Sequence, residues 1–155
     1  MQALQPIRPL RLWKVGKGHK VGVVGLGGLG HMAVKFAASF GAEVTMLSRS
    51  PYKEADANKL GAQKFILTTN RAVNSVAGYF DFILYTVAAE HNYDMYLNML
   101  KPRGIMVCVG IPTVPIQMSP LGVIFYGRSV VGSLIGGLPE TQEMLDYCAE
   151  NNITC

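Results

Sequence analysis

The sequence predicts a single α/β domain built on a doubly wound, parallel six-stranded sheet. Two observations carry that prediction. Short apolar segments alternate with helical segments along all 155 residues. The segments read as strands are continuous apolar runs rather than two-residue alternations, the pattern of a sheet covered on both faces.

Each element follows in order. Residues 20–24 are a β-branched run that ends directly in glycines. Residues 28–40 carry Leu29, Met32, Ala33, Phe36, Ala37 and Phe40 at helical spacing, and Gly41 stops that helix. Residues 44–47 read as a second strand, and Ser50-Pro51 opens a helix running to Leu60 that Gly61 closes. Strands at 65–67 and 81–85, a helix at 93–100 and a strand at 104–109 follow. The sixth strand runs from Ser129 to Ser133, and a helix at 139–150 presents Met144, Leu145 and Cys148 on one face. Two βαβαβ halves of this kind give the order 3-2-1-4-5-6, with a ligand crevice where the order reverses. Residues 1–18 form a lead-in arm that Trp13 packs onto the domain at 19–155.

Composition excludes several classes. Half the residues are hydrophobic and 15% charged, which disfavours disorder. The mean hydropathy of +0.25 raises the question of a membrane. The longest uncharged run, from Gly104 to Gly127, is broken by Pro112, Pro115 and Pro120 and reads as strand, loop and short helix, so no membrane association is expected. No signal-peptide pattern opens the chain. Cys108, Cys148 and Cys155 form no CxxC pair, which fits a reducing cytoplasm. The net charge is +4, but no acid precedes Glu43 and no base follows Arg128. Aromatics are not interleaved with the leading bases, so no nucleic-acid partner is expected. A solvated face, or contact with a further domain, accounts for the asymmetry.

Gly25-Leu26-Gly27-Gly28-Leu29-Gly30 fits G-x-G-x-x-G and lies where its mechanism requires, directly after the first strand and opening a long helix. Gly25 permits the tight turn, Gly27 lets a pyrophosphate approach the backbone, and Gly30 lets the helix pack close to the strand. The helix N-terminus offers unpaired N–H groups and partial positive charge. This is the dinucleotide-binding Rossmann arrangement. A domain specific for NAD usually carries an acid at the end of the second strand, where it binds the ribose 2′-hydroxyl. Here Ser48, Arg49 and Ser50 stand in that place, with Lys53 after them. A carboxylate would repel a 2′-phosphate, whereas a hydroxyl and cations would hold it. NADP(H) is the expected cofactor.

The stretch from Lys20 to Lys35, Ser48-Arg49-Ser50 with Lys53, Leu100-Lys101-Pro102, and Gly132-Ser133-Leu134-Ile135-Gly136-Gly137 resemble the medium-chain zinc-dependent alcohol dehydrogenases, in particular their cinnamyl alcohol dehydrogenase-like branch. The resemblance runs from about Pro9 to the end. It implies an oxidoreductase that interconverts alcohol and aldehyde by hydride transfer, with this chain as its cofactor half. It implies that Val109, Gly110 and Ile111, together with Ser133, Leu134 and Ile135, approach the nicotinamide, mostly through backbone. It also implies that the sixth strand pairs with its twin across a dimer, a role its edge position independently suggests. In the family a catalytic domain supplies the zinc ligands and a structural four-cysteine site, and none of those motifs occurs in this sequence. The chain is therefore expected to be a fragment, inactive alone, with no catalytic and no metal residues of its own. Two other readings stay open: a stand-alone nucleotide-sensing module, and a residual fragment that binds no cofactor. Tyr85 stands where relatives often carry Asp. His19, His31 and His91 lack metal-ligand spacing, and His31 either touches cofactor or lies on the helix surface.

Overall fold

The structure is a computed structural model that describes residues 4–154. Six parallel strands form one sheet: β1 (Lys20–Val24), β2 (Glu43–Ser48), β3 (Lys64–Leu67), β4 (Phe80–Tyr85), β5 (Leu100–Cys108) and β6 (Ser129–Gly132). Their order is β3-β2-β1-β4-β5-β6, the doubly wound order expected from the sequence. The helices are α1 (Leu4–Leu12), α2 (Gly28–Ser39), α3 (Glu54–Lys59), α4 (Tyr93–Met99), α5 (Pro120–Ile124) and α6 (Leu138–Glu150), with 3-10 turns at Pro51–Lys53 and Arg71–Val76.

Side chains alternate across each strand, so the core divides into two layers. Val21 and Val23 of β1, Val44 and Met46 of β2, Phe82 and Leu84 of β4, and Val107 face α1, α2, α3 and α6. Val24, Leu47, Ile83, Tyr85 and Met106 face the opposite way, against α4 and α5. With both faces covered, a strand gains nothing from polar alternation, which explains the continuous apolar runs.

The leading arm contains a helix that periodicity had not signalled. Ile7 and Leu10, one turn apart on α1, are buried in the first core layer. Arg8 pairs with Glu140 of α6 at 2.9 Å, and Arg11 with Glu143. The basic start and the acidic end of the chain thus meet each other. Trp13 packs against the same layer, its ring centroid 6.3 Å from that of Phe82.

Several boundaries differ from the sequence reading, and the helix expected from Ser50-Pro51 to Leu60 opens as the 3-10 turn Pro51–Lys53 before α3. Strand β5 begins at Leu100, because that residue pairs with Phe80 before the register shifts at Phe82. Strand β6 ends at Gly132, although the Ser133 N–H still donates to the Cys108 carbonyl at 3.1 Å. Among the described residues no helix is long and apolar enough to cross a membrane.

Candidate functional site

The site lies at the C-terminal ends of the parallel strands, where β1 stands between β2 and β4 and the winding reverses. Gly25 turns the chain out of β1 with a φ of +89°, a conformation that L side chains rarely adopt. Its N–H donates to the Leu47 carbonyl at 3.0 Å, and the Thr86 hydroxyl donates to the Val24 carbonyl at 2.7 Å. The turn is therefore fastened to both neighbouring strands. Gly30 is where the helix meets it: a Cβ there would sit 1.8 Å from the Gly25 carbonyl oxygen. Gly27 is the opposite case, since a Cβ there would have nothing within 4 Å. Gly27 is the N-cap of α2 and offers no side-chain cap, so the first-turn N–H groups of α2 face open space. Gly28 is exposed beside it, while Leu26 and Leu29 pack partly onto the core.

Ser48 closes β2. Its hydroxyl accepts the Ser50 N–H at 3.1 Å, and its carbonyl accepts the Thr68 N–H at 2.8 Å. These bonds hold the turn that carries the exposed Arg49. Lys53 reaches back to the glycine turn, its Nζ 3.3 Å from the Leu26 carbonyl. One cleft of about 150 Å³ brings together Gly25, Leu26, Ser48, Arg49, Ser50 and Lys53, and Thr68, Val87, His91 and Tyr96 also line it. No carboxylate lines it among the described residues. A second hollow of about 430 Å³ continues over Gly27 and Gly28, lined also by His31, Tyr52, Asp56 and Lys59. Backbone N–H groups beside empty space at one end and cations at the other fit a dinucleotide with a 2′-phosphate.

Val109, Gly110 and Ile111 follow β5 at the same sheet edge. The N–H groups of Val109 and Gly110 converge on the Tyr85 carbonyl at 3.0 and 3.3 Å. A Cβ on Gly110 would lie 2.5 Å from the Val87 carbonyl oxygen, so the loops after β4 and β5 cross there in close contact. Gln5 of α1 donates to the Val109 carbonyl at 2.7 Å. Ser133, Leu134 and Ile135 leave β6 beside this point, with Ile111, Leu134 and Ile135 exposed. These six residues share the edge with the glycine turn but do not line the 150 Å³ cleft.

The loop after β4 supplies residues that the sequence did not single out. Thr86 and Val87 have no motif to mark them, and their role depends on a crossover between strands remote in sequence. His91 had only its residue type to signal it. Its Nδ1 is hydrogen-bonded to the Tyr85 hydroxyl, and burial together with nearby Arg49 holds its pKa below the ordinary imidazole value. Burial raises the pKa of Tyr85 above the usual phenol range, so its side chain is neutral. His31 has its pKa lowered by burial and then by Lys35. Among the described residues no group of three or more His, Cys, Asp or Glu side chains could hold a metal ion, so no zinc ligand set is found among them.

Residues 28–150 match the family model described as zinc-binding dehydrogenase. The chain belongs to that family. A relative from Bacillus subtilis, named Probable formaldehyde dehydrogenase AdhA, is 50% identical over 124 residues, covering 79% of this chain and 36% of its own length. A cinnamyl alcohol dehydrogenase (CAD) from Sorghum bicolor superposes on 99% of the chain with a TM-score of 0.97 and 39% identity. CAD from Helicobacter pylori, solved with NADP(H), superposes on 98% with a TM-score of 0.89 and 39% identity. The chain spans 44% of each of these two structures. It thus spans less than half the length of these family members.

Proposed function

We propose that this chain is the NADP(H)-binding domain of a zinc-dependent alcohol dehydrogenase. The observation that carries the reading is the single cleft joining the glycine turn to Ser48, Arg49 and Lys53 without a carboxylate. The H. pylori relative solved with NADP(H) supports it. The first-turn N–H groups of α2 receive the pyrophosphate in the open space at Gly27. Arg49 and Lys53 neutralise the 2′-phosphate, and Ser48 and Ser50 offer it polar partners. The backbone at 109–111 and 133–135 borders the nicotinamide. The bound nicotinamide supplies the hydride-transfer chemistry that interconverts alcohol and aldehyde; this chain's residues bind and orient it.

We further propose a homodimer joined through β6 and a cytoplasmic setting. Strand β6 is at the sheet edge, with exposed Leu134, Ile135 and Leu138 beyond it. Cys108, on β5 and without a disulfide, fits a reducing compartment; burial pushes its thiol pKa up to about 11.

Gly27→Val tests the binding reading. The added side chain meets no protein atom near its Cβ, so the fold is kept, while the space for the pyrophosphate is filled. Circular dichroism of the unmutated type with NADPH fluorescence binding lost is the expected result. Unchanged NADPH affinity in the folded variant would refute the site.

A further inference from the structure

Tyr85 and His91 lie outside the glycine and Ser48–Lys53 motifs, yet His91 lines the cleft with Ser48, Arg49 and Lys53. Tyr85 is wholly buried at the end of β4, its ring packed against Tyr93, Tyr96 and His91. A buried phenol keeps its proton and needs an acceptor for it. Nδ1 of His91 is hydrogen-bonded to that hydroxyl and can serve as its acceptor. His91 is also buried in part and close to the positive Arg49, both of which favour its neutral form. A neutral imidazole has one N–H and one bare nitrogen. With Nδ1 accepting from Tyr85, the N–H falls on Nε2. That atom is shielded from solvent and has no hydrogen-bond partner. A shielded donor without an acceptor is costly, and because His91 lines the cleft a small rotation of its ring would offer that donor to a ligand atom.

We propose that the His91 Nε2–H donates to an acceptor on the adenosine 2′-phosphate half of the dinucleotide, and that Tyr85 is a positioning residue that fixes the donor tautomer. The acceptor is a ring nitrogen of the base or an oxygen of the 2′-phosphate. This inference rests on the cleft being the NADP(H) site. It adds a neutral donor on the β4 side to the cations on the β2 side, so the adenosine half is gripped from both walls. Tyr96, which also lines the cleft, offers a ring against which a base can pack.

The test uses adenosine 2′,5′-bisphosphate and ADP as probes in calorimetric titrations of the unmutated chain and of His91→Leu, His91→Gln and Tyr85→Phe. The expected result is bisphosphate affinity about tenfold weaker in His91→Leu. His91→Gln, whose amide nitrogen keeps a donor near the Nε2 position, should recover most of the loss. Tyr85→Phe should weaken binding in the same direction. An equal loss with ADP assigns the acceptor to the base, and a loss confined to the bisphosphate assigns it to the 2′-phosphate. Nitrogen NMR of the unmutated chain should show His91 protonated at Nε2, with that resonance shifting on addition of bisphosphate. Bisphosphate binding that is equally tight in folded His91→Leu would overturn the inference while leaving the cofactor site standing. Failure of the unmutated chain to bind bisphosphate would remove both. If His91→Leu does not fold, an Nε2 resonance that bisphosphate leaves unmoved overturns the inference by itself.

Discussion

Gly27 and Gly30 stand one helical turn apart and are glycine for different reasons. At Gly30 a side chain would collide with the Gly25 carbonyl oxygen, so the fold itself demands glycine. At Gly27 the fold demands nothing, and an added Cβ would meet open space. The sequence motif anticipated both placements, because its three glycines have fixed positions relative to a strand and a helix. Ser48, Arg49 and Lys53 were legible for the same reason: they follow the end of the second strand in the chain. Tyr85 and His91 each stood out alone, but not as a pair. Their pairing depends on how the loop after β4 settles over the cleft, and no periodicity encodes that. The histidine nevertheless leaves a measurable trace in stability. An unfolded histidine takes up its proton near pH 6.5, and folded His91 does so only at lower pH. In the window below pH 6.5 the unfolded chain binds more protons, so stability falls as pH drops, and above that window His91 contributes no pH dependence. Urea unfolding at pH 7.5 and pH 5.5 should show a larger loss of midpoint on acidification in the unmutated chain than in His91→Gln. Equal losses would mean that His91 is not buried in its neutral form.

Elements were legible in proportion to how strongly they bury. The central strands carry unbroken apolar runs because helices cover both faces, and the expected strands fell within a few residues of the observed ones. The uncharged run from Gly104 to Gly127 resolves into the end of β5, a loop and α5, as its prolines indicated. Helix α1 was hidden because Pro6 and Pro9 lie in it and only Ile7 and Leu10 mark its buried face. The 3-10 turn Arg71–Val76 was hidden because a single buried residue, Val76, leaves no period to read. The charge asymmetry was visible in sequence, but its cause was not. It is met within the chain, where α1 and α6 face each other through Arg8–Glu140 and Arg11–Glu143. Exposed pairs of this kind contribute at most about 1 kcal/mol each, so burial of Ile7 and Leu10 is the stronger attachment. Leu10→Ala should accordingly cost about 2–5 kcal/mol in urea unfolding. A loss under about 1 kcal/mol would mean that α1 is not part of the cooperative core.

At the scale of the whole molecule, the sheet ends in β6, whose outer edge has no strand beside it among the described residues. The Ser133 N–H donates inward to Cys108, so by alternation Val131 turns its N–H inward and Val130 turns its N–H outward. An antiparallel twin across a two-fold axis would use those outward groups and join two six-stranded sheets into one. Val130→Pro should therefore leave each sheet intact and give a folded monomer, whereas the unmutated chain should scatter light as a dimer at micromolar concentration. A monomeric unmutated chain would exclude the pairing. The winding of the sheet also brings the end of β2 beside the glycine turn in one cleft. The most direct test of NADP(H) binding in that cleft is a parallel titration of the unmutated chain and Arg49→Ala with NADPH and NADH. NADPH should bind the unmutated chain more tightly, and Arg49→Ala should weaken NADPH by about tenfold or more while leaving NADH nearly unchanged, the effect of one lost charge-assisted phosphate contact. Equal affinities for NADPH and NADH in the unmutated chain would contradict the account.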